Sequence, residues 1–151
     1  MIIYELIGIM DKVIGEYMVK SSVKKEFDSD IDRLWSIITD NTKYTWRSDL
    51  SKIEIIDKYH FIEYNKNNYP TYFTIISKQK YKEYKFNIEN SNIKGQWTGI
   101  FRKLDNGNVL IEFIEEIETQ HFFMKLLLKS YLKKQQKTYI KDLEKVLVNF
   151  K

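Results

Sequence analysis

Apolar positions recur along this chain in two rhythms, helical at both ends and alternating between them. Residues 2–14 place Ile3, Leu6, Ile7, Met10, Val13 and Ile14 on one face at i, i+3, i+4 and i+7, which predicts a leading amphipathic helix over 1–15. From Glu16 to Phe27 the pattern becomes strand-like. Ser29-Asp30-Ile31-Asp32 then resembles a capping box, with Ser29 as the N-cap hydroxyl and Asp32 as the acidic residue at N3. Ile31, Leu34, Trp35 and Ile38 continue at helical spacing, and the helix is expected to stop near Thr39-Asp40-Asn41, whose side chains compete for the backbone. A second short helical turn is expected through Tyr44 and Trp46.

Six strands are predicted next, over Leu50 to Lys58, His60 to Lys66, Thr71 to Lys78, Tyr81 to Glu89, Ile93 to Leu104 and Asn108 to Glu118. The separators Asn65 to Pro70, Asn90 to Asn92 and Asp105-Asn106-Gly107 are polar and turn-prone, so sequential strands are expected to pair as antiparallel hairpins. Alternation assigns faces. Ile93, Trp97 and Phe101 share a parity with Gly95 and Gly99; Tyr84, Phe86 and Ile88 oppose Glu83, Lys85 and Asn87; Val109, Ile111, Phe113 and Ile117 oppose Glu112, Glu116 and Glu118. One sheet face is apolar and the other wet. The two strand glycines mark a bulge, a bend or a close approach, and either leave room beside Trp97 or serve curvature without a pocket. From Thr119 to Phe150 there is no Gly or Pro, and helical spacing returns for about thirty residues, so one long helix closes the chain. The expected class is α+β: a curved antiparallel sheet of about seven strands around a long C-terminal helix, two short helices after the first strand, and one domain over 16–151.

Composition supports this and narrows the chemistry. With 43% apolar and 15% aromatic residues, the chain is too rich in large side chains to be disordered, and 151 residues fit one domain burying about 70% of its unfolded surface. There is no Cys, which removes disulfides, thiolate nucleophiles and Cys-ligated zinc. His60 and His121 fall in different predicted elements and outside metal-ligand spacings, so neither a metal nor a cofactor is expected. Glu5 and Asp11 interrupt the N-terminus where a signal peptide would be uniformly apolar, and no run approaches the roughly 18 apolar residues of a membrane span. The expected location is the cytoplasm. The net charge of +4 is spread among interleaved acids and bases, a weak nucleic-acid signal.

The order of elements resembles the helix-grip order of the START and Bet v 1-like (SRPBCC) superfamily. Ile31-Asp32-Arg33-Leu34-Trp35-Ser36-Ile37-Ile38-Thr39-Asp40 resembles its first-helix pattern, and Trp46-Arg47-Ser48-Asp49-Leu50 its tryptophan-containing lead into the second strand. Gly95-Gln96-Trp97-Thr98-Gly99-Ile100-Phe101, followed by Asp105-Asn106-Gly107-Asn108-Val109-Leu110-Ile111-Glu112-Phe113, is similar to the hairpin of the polyketide cyclase/dehydrase and lipid transport branch. The resemblance runs from about Val19 to Phe150. It implies a solvent-shielded cavity between sheet and closing helix that holds a lipid, polyketide, isoprenoid or other small apolar molecule, and it leaves catalysis open because only some members of the superfamily are enzymes.

The candidate cavity walls are Trp97, Phe101 and Phe113 on strands and Met124, Leu128 and Tyr131 on the closing helix, where Leu127 shares their direction and Gln135 and Asp142 lie close to it. Trp46 and Arg47 are candidates for one end. Arg47, Glu63, Tyr72, Tyr131 and Gln135 are the candidate polar groups, with Arg47 offering a fork to a ligand carboxylate or, as the favoured reading, pairing with Asp49 or Glu54. Alternation leaves the direction of Glu63 open; turned inward, it becomes a candidate acid or base. The leading reading is binding or carriage of a small hydrophobic ligand. A cyclase or dehydratase-like enzyme using a buried carboxylate is the runner-up, and a protein- or membrane-surface-interaction domain the third. Lys125, Lys129, Lys133 and Lys137 make a basic stripe that reads as a solvated helix face. The leading helix offers a surface for a homodimer.

Overall fold

The computed structural model describes residues 17–149, so the predicted leading helix lies outside the described residues. Seven strands form one sheet: β1 (Tyr17–Phe27), β2 (Leu50–Ile55), β3 (His60–Asn65), β4 (Pro70–Gln79), β5 (Glu83–Glu89), β6 (Lys94–Lys103) and β7 (Val109–Thr119). Helix α1 (Ile31–Thr39) follows β1, and α2 (Phe122–Asn149) closes the described chain. The spatial order is β1-β7-β6-β5-β4-β3-β2 with every pair antiparallel, so each hairpin predicted from a turn-rich separator is present and only the β1–β7 pairing joins distant parts of the sequence.

Three local expectations are corrected. Asp30, not Ser29, caps α1: its Oδ1 accepts from the Arg33 N–H at 2.8 Å, the N-cap to N3 reach shifted one residue along. The second short helix is absent, and the stretch holding Tyr44 and Trp46 makes separate turns, closed by Lys43 N–H to Asp40 O and Arg47 N–H to Tyr44 O. Strand β5 begins at Glu83 rather than Tyr81, because Tyr81 adopts a positive φ of 66° in the β4–β5 turn. Its hydroxyl donates to Asp32 at 2.6 Å while its ring meets Trp35 edge-on, contacts that hold a conformation few non-glycine residues take.

The glycines of β6 mark close approaches, and the room expected beside Trp97 is taken by its own ring. A Cβ on Gly95 would lie 2.2 Å from the Glu116 carbonyl oxygen, and one on Gly99 would lie 2.7 Å from the Trp97 ring. Trp97 therefore folds over Gly99 along its own strand.

Helix α2 packs chiefly along β1 and β7 and stands away from the middle of the sheet. Its C-terminal half is fastened by Leu143 and Leu147 in the core and by Arg33, whose guanidinium donates to the Leu147 carbonyl at 3.0 Å, satisfying an acceptor the helix end leaves unpaired. Asp142 accepts from both the N–H and the hydroxyl of Ser48, tying the segment before β2 to the same half. Among the described residues no helix is long and apolar enough to cross a membrane.

Candidate functional site

Where α2 stands off from the curled sheet there is a cavity of about 700 Å³. Its floor is aromatic: Phe86 stacks on Trp97 at 4.8 Å with planes 3° apart, Trp97 stacks on Phe113 at 5.0 Å, and Phe61 stacks on Phe73 at 4.8 Å. All five face inward because the period of a strand is two and their registers coincide, Phe61 opposite Phe73, Phe73 opposite Ile88, and Phe86 opposite Trp97. Met124, Leu127, Leu128, Tyr131 and Gln135 of α2 form the roof.

Two polar groups interrupt these walls. The first is centred on Arg47, in the segment before β2. Its Nε and one terminal nitrogen donate to the two carboxylate oxygens of Asp49 at 2.9 and 2.8 Å, and that terminal nitrogen also reaches Glu63 at 3.5 Å. The guanidinium lies 4.9 Å from the ring centre of Tyr139, a cation–π contact. Burial opposes the charge of Arg47, but Glu63 and Asp49 outweigh it and hold the pKa above its ordinary value. Burial also works against ionising Asp49, and here the Arg47 fork prevails and lowers the pKa. For Glu63 burial prevails and the pKa is raised. Glu63 faces inward, which settles the question alternation left open: it is opposite Thr71 on β4, and both line the cavity. Arg47 pairs with Asp49 as favoured, while Glu54 accepts from the Tyr64 hydroxyl instead.

The second group joins three elements. Glu115 on β7 sits between Ser21 of β1 and Trp97 of β6 in the sheet. Gln136 of α2 completes it: its amide donates to Glu115 at 3.2 Å and to the Ser21 carbonyl at 3.1 Å, and its oxygen accepts from the Ser21 hydroxyl at 3.0 Å. Every polar atom of the Gln136 side chain is used. Glu115 is only 7% exposed, and burial pushes its carboxyl up to about 7 against the lowering effect of the Gln136 bond, with Glu63 adding to the rise.

Of the residues singled out in sequence, Arg47, Glu63, Trp97, Phe113, Met124, Leu128, Tyr131 and Gln135 all line the cavity. Three do not. Tyr72 lies on the outer face, 55% exposed, because the inward parity of β4 belongs to Thr71 and Phe73. Phe101 faces inward but is packed by Trp35 of α1 at 5.0 Å, in the solid part of the core. Trp46 meets Tyr139 edge-on at 5.2 Å without joining the wall. Glu115, Gln136 and Tyr139 were missed as polar groups of the site. The signal for Glu115 was present, since it shares the parity of Phe113 and Ile117, and Gln136 sits one turn beyond Leu132 on the buried stripe.

No family model matches the sequence, and neither does any curated protein. Solved structures do match. A conserved protein from Geobacillus kaustophilus aligns with a TM-score of 0.75 at 10% identity, over 87% of this chain and 96% of that one. Norcoclaurine synthase from Thalictrum flavum, in complex with dopamine and hydroxybenzaldehyde, aligns at 0.71 with 12% identity, over 95% and 94%. A START superfamily protein from Mycobacterium smegmatis aligns at 0.65 with 13% identity, over 87% and 99%. Identities this low establish the fold and nothing finer: the described chain has the START and Bet v 1-like helix-grip fold.

Proposed function

We propose that the protein binds or carries a small, largely apolar molecule in the cavity between sheet and α2. The observation that carries the reading is the cavity of about 700 Å³ with stacked aromatic walls and a few placed polar groups, the composition of small-molecule sites in general. The fold agrees with it, since a neighbour of the same architecture holds dopamine and hydroxybenzaldehyde. The binding residues are Trp97, Phe113, Met124, Leu128, Tyr131 and Gln135, together with Arg47 and Glu63. The site of action is the cytoplasm.

Native mass spectrometry of protein purified from cells, with organic extraction of what accompanies it, tests this. A stoichiometric small-molecule adduct is expected from the unaltered chain and from Tyr72→Ala, and its loss is expected in Thr71→Trp, which fills the cavity from the adjacent inward position. An adduct equally retained by folded Thr71→Trp overturns the reading.

A second reading, acid–base chemistry of cyclase or dehydratase type on the bound molecule, is favoured by one observation: Glu63 turns into the cavity with its pKa raised by burial. In that case Glu63→Gln abolishes turnover of a bound substrate while the adduct survives.

A further inference from the structure

The cavity is not neutral in its layout. Its described lining residues include three carboxyl groups, Asp49, Glu63 and Glu115, against two cations, Arg47 and Lys134. Lys134 is exposed on α2. The Arg47 fork is closed on Asp49 at 2.9 and 2.8 Å and spares Glu63 only a 3.5 Å contact. An anionic headgroup entering this space therefore meets a guanidinium whose Nε and one terminal nitrogen are engaged, and two further carboxyl groups beside it. That layout disfavours the fatty-acid-like occupant an arginine in such a cavity would otherwise suggest.

Glu115 has the opposite need. Its partner among the described residues is the neutral amide of Gln136, which engages Oε1, and no cation bonds to it. It is 7% exposed and lines the cavity, so what is open of it faces the binding space. In the sheet it stands directly opposite Trp97, and neighbouring side chains on one face of an antiparallel pair lie about 5 Å apart. A buried carboxyl without a bonded cation, beside an aromatic floor, is complementary to a protonated nitrogen joined to a flat apolar body. The nitrogen meets the carboxylate, and the body lies against the cavity-facing edges of Phe86, Trp97 and Phe113, whose faces are stacked on one another.

We infer that this cavity selects a cationic amine with an aromatic or similarly flat apolar body, seated with its nitrogen at Glu115 and its rings on the Trp97 floor. The inference rests on the cavity-binding reading and names its ligand class. The carboxyl pushed up to about 7 is consistent with it, because an ammonium beside Glu115 supplies the charge that burial withholds. The groups facing Glu115 are Ser21 on β1, Gln136 and Tyr131 on α2, and more distantly Glu63 and Arg47.

Three matched probes test the inference by isothermal titration at pH 6: 2-(2-naphthyl)ethylamine, 2-(2-naphthyl)ethanol and 2-naphthylacetate. The amine is expected to bind at least ten-fold more tightly than the alcohol, and the acid most weakly. Titration in two buffers of different ionisation enthalpy is expected to show proton release with the amine and none with the alcohol, as Glu115 ionises against the incoming cation. Glu115→Gln is expected to erase both the amine preference and the proton release, and Glu63→Gln to reduce the preference by a smaller factor. Thermal melts confirm that each variant is folded; should Glu115→Gln fail to fold, the proton release of the unaltered chain and the Glu63→Gln series decide. Alcohol and amine binding alike, or the acid binding best, overturns the amine assignment and leaves the cavity reading standing. Failure of all three probes to bind overturns both.

Discussion

The two halves of α2 invert the usual relation between hydrophobicity and burial. The first half, Phe122 to Tyr131, is the more apolar in sequence, yet Phe123, Leu126, Leu127 and Tyr131 are each more than half exposed and only Leu128 is buried. The second half is rich in Lys, Gln and Glu, yet Leu132, Gln136, Leu143 and Leu147 are sealed. Near Leu143 and Leu147 the helix is buried and held by Arg33 of α1; from Met124 to Tyr139 one side of it lines the cavity, and Phe123 and Leu126 are exposed without lining it. The same helix is a structural beam at one end and a wall of the ligand site at the other, and its polar side chains follow suit. Gln136, at the junction, spends all its hydrogen bonds within the protein, while Gln135 beside it lines the cavity.

Truncation should separate the two halves most sharply. Leu143→Ala removes a side chain with no exposed surface in the closed half and is expected to cost about 3 kcal/mol in urea unfolding. A loss below about 1 kcal/mol would mean that the closed half is looser than its packing indicates.

The junction gives the next effect, and its sign depends on pH. The Glu115 carboxyl stands at about 7 when folded against an ordinary 4.5, so the folded chain holds a proton that the unfolded chain has released between those values. Stability from this group is therefore intact below about pH 4.5 and falls as pH rises to about 7. Glu115→Gln lifts that penalty. The variant is expected to match the unaltered chain near pH 4.5 and to exceed it by up to about 3 kcal/mol at pH 8, a shift of 2.5 units at 1.36 kcal/mol each. Parallel stability curves for the two proteins across this range would show that Glu115 is solvated.

Gln136→Leu breaks the same junction from the helix side. It leaves the Ser21 hydroxyl, the Ser21 carbonyl and Glu115 without their partner and is expected to cost about 1 to 3 kcal/mol, although leucine is the more apolar residue. A stabilised variant would show that water replaces the amide at no cost. The smallest effect belongs to the open half. Leu127→Ser, at a position 69% exposed, is expected to change stability by no more than about 0.5 kcal/mol and to weaken binding of a naphthyl probe, since Leu127 also lines the cavity. A large stability loss there would place this half in a packed interface after all.

Much of this arrangement could be read without coordinates, and the misses have identifiable causes. Trp97, Phe113 and Leu128 were legible because strand and helix periods report direction. Tyr72 takes the outward parity of β4, opposite to that of its inward neighbours Thr71 and Phe73. Phe101 has the right parity, but parity does not say that α1 covers it with Trp35. Glu63 was undecidable, because β3 carries mixed residues at both parities and only its pairing with Thr71 and Phe73 on β4 fixes the direction.

What the sequence by itself determined is the order of elements, their antiparallel hairpins and the apolar face of most strands, since these follow from local periodicity and turn chemistry within a few residues. What only the tertiary structure decided is where the interior is solid and where it is hollow, and which buried charges meet. Those depend on the curl of the sheet and on contacts between residues more than a hundred positions apart, such as Ser21 with Gln136, which no local pattern encodes.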